Sequence, residues 1–169
     1  MPEMKQRLKS KKHKWLTSGL MARILSLCDG EDDKIAIMAT VACELFNSVD
    51  DFNWVGFYRV VGSDLLKIGP YQGQHGCLVI PFNRGVCGAA ASLREIKIID
   101  DVEKFDGHIA CSSSTKSELV IPCFDWDGRL FAVLDIDSDK PAFFSEEDAS
   151  NLDCLMRKLF MKNKVLMTK

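Results

Sequence analysis

From Trp15 to Cys28 the apolar positions Trp15, Met21, Ile24, Leu25 and Cys28 recur at helical spacing, and Asp29-Gly30 supplies a stop, so the pattern predicts a first helix. A second follows the acids Glu31-Asp32-Asp33, with Lys34, Met38, Val41, Ala42, Leu45 and Phe46 on one side, and ends near Asn47-Ser48. The pattern then becomes strand-like. Asn53-Trp54-Val55-Gly56-Phe57-Tyr58-Arg59-Val60 is aromatic and β-branched, Gly62-Ser63-Asp64 makes a turn, and Leu65 to Ile68 pairs back before Gly69-Pro70. Cys77 to Ile80 and Ile96 to Ile99 read as short strands on either side of a glycine-initiated, alanine-rich helix, Gly85 to Leu93. Glu118 to Phe124 and Arg129 to Asp137 form a hairpin through Asp125-Trp126-Asp127-Gly128, whose Asp-Gly pair suits a tight turn. Ser145-Glu146-Glu147-Asp148 resembles a capping box and opens a long last helix carrying Leu152, Leu155, Met156, Leu159 and Phe160. These elements predict an α+β domain with helices on one face of an antiparallel sheet. Asp100 to Ser117, rich in turn formers, is irregular and a natural place for function.

Composition narrows the partners. A chain of 169 residues fits one domain, which we place at residues 15–169, preceded by a basic extension over residues 1–14 with Lys5, Arg7, Lys9, Lys11, Lys12 and Lys14 against Glu3. We read that extension as a solvated helix start, with organelle targeting as the alternative, because transit peptides are richer in Arg and Ser. Twenty-two basic against twenty-four acidic side chains leave a net charge of -2, without the basic footprint of a nucleic-acid binder. Apolar runs fall short of the roughly 18 residues that cross a bilayer. A soluble, unsecreted, cytoplasmic protein with no membrane partner is expected. Seven cysteines, an odd number, do not suggest a disulfide scaffold. Cys28, Cys43 and Cys154 lie in helical apolar patterns and Cys123 in an apolar run, so each reads as a small buried hydrophobe. Cys77, Cys87 and Cys111 stand apart in turn-like, Gly-, Ser- and His-rich surroundings.

Alternation along a strand puts Asp135 and Asp137 on the same side, and pairing across the hairpin can bring Glu118 near both. They are either a strand end emerging into water or an acid cluster in which like charges raise one pKa and leave a proton donor near neutral pH. Trp54 and Tyr58 share a face with Gly56 between them, which allows an open pocket wall or simple core packing. Cys111 sits in the polar loop His108 to Glu118, where His108, Lys116 or backbone N–H groups would favour the thiolate and carboxylates would oppose it. His75, Cys77, Cys87, His108 and Cys111 lack the paired spacings of structural zinc, so no metal is expected. Phosphate-loop, dinucleotide and esterase-elbow motifs are absent from the sequence.

Asn53-Trp54-Val55-Gly56-Phe57-Tyr58, Gly85-Val86-Cys87-Gly88, Gly107-His108-Ile109-Ala110-Cys111, Ser117-Glu118 and Val133-Leu134-Asp135-Ile136-Asp137-Ser138 together resemble the free methionine-(R)-sulfoxide reductases, single GAF domains. The resemblance implies a GAF-like, six-stranded antiparallel sheet flanked by N- and C-terminal helices, a homodimer, and reduction of the free amino acid sulfoxide. It further implies that Cys111 attacks the sulfoxide, Cys77 is its main disulfide partner, and Cys87 assists recycling. On the same basis Glu118, Asp135 and Asp137 bind substrate, with Trp54 and Tyr58 at its methyl end. Such chemistry passes through a cysteine sulfenic acid and a disulfide recycled by an external thioredoxin-like dithiol, with no bound cofactor. The competing readings are a non-catalytic ligand-sensing GAF module and a thiol redox sensor.

Overall fold

The computed structural model describes residues 14–105, 107 and 114–161. Cys111 and His108 therefore lie outside the described residues, as does the basic extension up to residue 13. The described residues form four α-helices: α1, Ser18–Leu27; α2, Lys34–Phe46; α3, Gly85–Leu93; and α4, Glu146–Phe160. Their starts follow local chemistry. The Thr17 hydroxyl accepts from the Leu20 N–H, the Asp33 carboxylate from Ile35 and Ala36, and Ser145 and Asp148 cap each other reciprocally. Trp15 precedes α1 instead of belonging to it, and is buried with its ring edge-on to Phe52 at 4.9 Å.

Six strands form one antiparallel sheet: β1, Phe52–Val60; β2, Leu65–Gly73; β3, Val79–Pro81; β4, Lys97–Ile99; β5, Ser117–Phe124; and β6, Leu130–Ser138, in the spatial order β3-β2-β1-β6-β5-β4. The strand β2 runs through Gly69-Pro70, where the sequence pattern stops it. Gly56 pairs with Tyr71 and Tyr58 with Ile68, so Gly69 and Pro70 together oppose Phe57 in a bulge. A proline without an N–H is tolerated there because the ladder is already interrupted.

Alternation divides the sheet into two faces. Val55 and Phe57 of β1, Leu119 and Ile121 of β5, and Leu134 and Ile136 of β6 pack with residues of α1, α2 and α4 in the larger core. The other face carries Trp54, Tyr58, Val120 and Val133 against Val86, Cys87, Ala90 and Ala91 of α3. Helices thus cover both faces, which corrects the one-face expectation. The short, small-residue surface of α3 suits close approach: a Cβ on Gly88 would stand 2.5 Å from the Pro81 carbonyl oxygen. Two cysteine expectations also change. Cys28 and Cys123 are buried, but Cys43 and Cys154 are exposed, because each lies one helical step beyond the buried stripe of its helix.

Candidate active site

The wall of the site begins with Gly56. Its missing side chain leaves room for the Trp54 indole, because a Cβ there would come within 2.5 Å of the indole Cη2 and 2.4 Å of Tyr71 Cβ. The gap between Trp54 and Tyr58 is therefore filled by the indole and is not the open slot that spacing suggests. Trp54 lies between Tyr58 and Tyr71, with both ring centroids 5.5 Å away and interplanar angles of 22° and 16°. Its Nε1 donates to the Gln74 carbonyl at 3.0 Å, which fixes the ring's rotation.

Three acids meet beside this wall. Register places Glu118 opposite Asp137 and Val120 opposite Asp135, while β1 sets Trp54 opposite Asp137 and Gly56 opposite Asp135. Glu118, Asp135 and Asp137 are 6%, 6% and 8% exposed, so the water-exposed alternative does not hold. The first turn of α3 delivers Cys87, whose Sγ is 4.0 Å from Glu118 Oε1. None of the salt bridges among the described residues includes any of the three acids. Burial without a countercation makes their ionised forms costly.

The titration behaviour follows. Burial pushes Asp135 up to about 7, opposed by hydrogen bonding to Cys87 and Glu118. Glu118 is raised well above the usual carboxyl range by burial and then by the charge of Asp135. Asp137 is raised for the same reasons, in the same order, with a Thr115 hydrogen bond opposing. The cluster can thus hold protons near neutral pH. Burial first and the charge of Asp135 second keep the Cys87 thiol and the Tyr58 phenol protonated. Although Cys87 sits in the first turn of a helix, whose dipole favours a thiolate, desolvation and like charge prevail.

A cavity of ≈ 70 Å³ opens on the cluster, lined in part by Trp54, Tyr58, His75, Gly76, Asp135 and Asp137. Cys77 is half-buried against the hydrophobic cluster that includes Trp54, Tyr58 and Cys87, and is disulfide-bonded. Cys43, Cys87, Cys123 and Cys154 form no disulfide. Of the eight residues singled out from the sequence, Trp54, Tyr58, Asp135 and Asp137 line one cavity, Cys87 and Glu118 lie side by side next to its acids, Cys77 packs against the hydrophobic cluster of Trp54, Tyr58 and Cys87, and Cys111 falls outside the described residues.

Several residues of the site carried no sequence signal of their own. Tyr71 lies beyond Gly69-Pro70, and only the bulge returns it to the sheet. Asn53 lines the cavity and donates to Ser114 Oγ at 2.8 Å and Thr115 Oγ1 at 3.3 Å, linking β1 to the segment before β5. Its polarity at a strand start was visible, but not its partners.

A family model described as the GAF domain matches residues 33–159. The chain is 40% identical to the free methionine-R-sulfoxide reductase of Escherichia coli over 85% of its own length and 84% of that relative. It belongs to the free methionine-R-sulfoxide reductase family. Family members are oxidoreductases built on a GAF domain, and the six-stranded antiparallel sheet with four helices described above is that fold. The reductase of the same name from Saccharomyces cerevisiae is 44% identical over 63% of this chain and 61% of its own. An X-ray structure of free methionine-R-sulfoxide reductase from Neisseria meningitidis, in complex with its substrate, superposes with a TM-score of 0.78 at 42% identity, covering 83% of each chain.

Proposed function

We propose that this chain reduces free methionine-(R)-sulfoxide to methionine in the cavity bounded by Trp54, Tyr58, Asp135 and Asp137. The observation that carries the reading is the buried trio Glu118, Asp135 and Asp137, which has no cationic partner among the described residues. A free amino acid supplies an ammonium to such a cluster; a methionine sulfoxide inside a polypeptide does not. A sulfoxide sulfur becomes a good electrophile when its oxygen is protonated, and Asp135, raised to about 7, is suited to donate that proton.

In the proposed cycle the Cys111 sulfur attacks the substrate sulfur as the oxygen is protonated, methionine leaves, and Cys111 is left as a sulfenic acid. The Cys77 thiol condenses with it, releasing water and forming a disulfide. A thioredoxin-like dithiol reduces that disulfide by exchange, so each turnover consumes two electrons and two protons and uses no bound cofactor. The pairing of Cys111 with Cys77 is what the family resemblance implies, and it is consistent with Cys77 being disulfide-bonded. Cys87, protonated and buried at the acids, is assigned to recycling instead of attack.

The working unit is residues 15–169, with residues 1–14 as a basic extension. A homodimer follows from the family resemblance alone. Among the described residues no helix is long and apolar enough to cross a membrane, and we place the protein in a cytosol-like compartment where a dithiol reductant is available.

The test is methionine release from the free sulfoxide with dithiothreitol or a thioredoxin system. Wild type is expected to turn over, Cys77→Ser to complete one turnover and then stall, and Cys111→Ser to complete none. Binding of the sulfoxide with no release of methionine by wild type would make the chain a sensing module and sink the proposal.

A further inference from the structure

Cys87, Glu118 and Asp135 come from α3, β5 and β6, and one ligand atom of each lies within 4.8 Å of the other two. All three residues are buried, at 4%, 6% and 6% exposure. The Oδ1 atom of Asp135 is itself buried and has no hydrogen-bond partner among the described residues, although Asp135 lines the cavity. A buried carboxyl oxygen left so is under-satisfied, and a cation entering by the cavity would satisfy it. Tetrahedral zinc, with its sulfur at about 2.3 Å and its carboxylate oxygen at about 2.0–2.2 Å, separates those two ligands by about 3.6 Å. The observed 4.0 Å from Cys87 Sγ to Glu118 Oε1 needs only a small contraction.

We propose that Cys87, Glu118 and Asp135 form an inhibitory site for one soft divalent cation of the zinc and cadmium class. A thiol beside carboxylates selects these ions over calcium or magnesium, which take oxygen ligands alone. Binding forms one metal–sulfur and two metal–oxygen bonds and releases to solvent the thiol proton and any proton the two carboxyl groups hold, with no change of oxidation state. This assignment rests on the reading of the same cavity as the substrate site: the ion occupies the carboxyl groups that would hold the substrate ammonium, so ion and amino acid exclude each other. Zinc-type spacing was absent from the sequence because the three ligands belong to three separate elements.

Cadmium reports the site directly through the ultraviolet charge-transfer band of a cadmium–thiolate bond. The full chain is titrated with cadmium chloride in a Cys43→Ser/Cys154→Ser background, which removes the exposed thiols among the described residues, and with the Cys77 disulfide intact. One equivalent of cadmium should develop the band, free methionine should abolish it competitively, and Cys87→Ser should lose it. Asp135→Asn and Glu118→Gln, which keep the thiol, should each weaken binding at least tenfold. No band in the parent, a band that survives Cys87→Ser, or an affinity unmoved by both carboxyl substitutions overturns the proposal. Metal-free turnover is measured separately. Activity without the band removes the cation site only, and the band without activity removes the reductase reading only.

Discussion

Leu134 and Asp135 are consecutive residues of β6, both buried, yet they belong to opposite enterprises. Leu134 and Ile136 enter the core under α1, α2 and α4, where apolar burial stabilises the fold. Asp135 and Asp137 enter the face under α3, where burial of carboxyl groups with no countercation among the described residues costs stability. The same backbone geometry serves both, since period-two alternation sends neighbours to opposite sides. One face of the sheet holds the molecule together, and the other carries the buried acids to which the proposed function gives a chemical role.

The largest effect expected to sharpen this contrast is catalytic. Asp135→Asn should lower methionine formation by about 10²–10⁴-fold, the usual range for loss of a positioned proton donor, while its melting temperature stays equal to or above that of the wild type. Activity retained alongside lower stability would make the acid face structural. Leu134→Ala should do the reverse. Its fully buried side chain leaves a cavity worth about 2–5 kcal/mol in urea denaturation, and the folded fraction should keep its turnover within a few-fold.

Gly56→Ala probes the boundary between the two faces. The added Cβ must displace Tyr71 and the Trp54 indole, a repacking that costs about 1–3 kcal/mol and should raise KM more than it lowers kcat. An unchanged KM would separate the aromatic wall from substrate binding.

The smallest effect per step is the pH dependence. Asp135 titrates at about 7 in the folded protein against an ordinary 3.8, so between those values the native state holds a proton that the unfolded chain has released. Stability is therefore greatest at the acid end of that window and falls as pH rises through it, by at most about 1.4 kcal/mol per pH unit for one such group. Glu118 and Asp137, also raised, act with the same sign. Urea midpoints measured from pH 4 to pH 7 should fall with pH in the wild type and flatten in Asp135→Asn. A rising profile would contradict the buried, protonated cluster.

Element by element, the order of helices and strands could be read from apolar periodicity because most signals were local. The Asp-Gly hairpin, the Ser145 cap and the alanine-rich α3 all appear near their expected positions. The strand β2 is longer than its pattern because tolerance of Pro70 depends on a bulge against Phe57, a non-local fact. Convergence of Glu118 on Asp135 and Asp137 was foreseeable from hairpin pairing. The exposure of Cys43 and Cys154 is not legible in the sequence, because a position beside the apolar stripe and one within it differ by a single helical step, and packing against the neighbouring elements sets the stripe's edge.

By itself the amino-acid sequence determined which side chains share a strand face and which resemble a known reductase family, because both depend on residue identity and short-range spacing. Only the tertiary structure decided that Cys87 joins the acids, that Trp54 closes over Gly56 between two tyrosines, and that three carboxyl groups lose their water together. Desolvation is a property of everything packed around a group, and no local pattern encodes it.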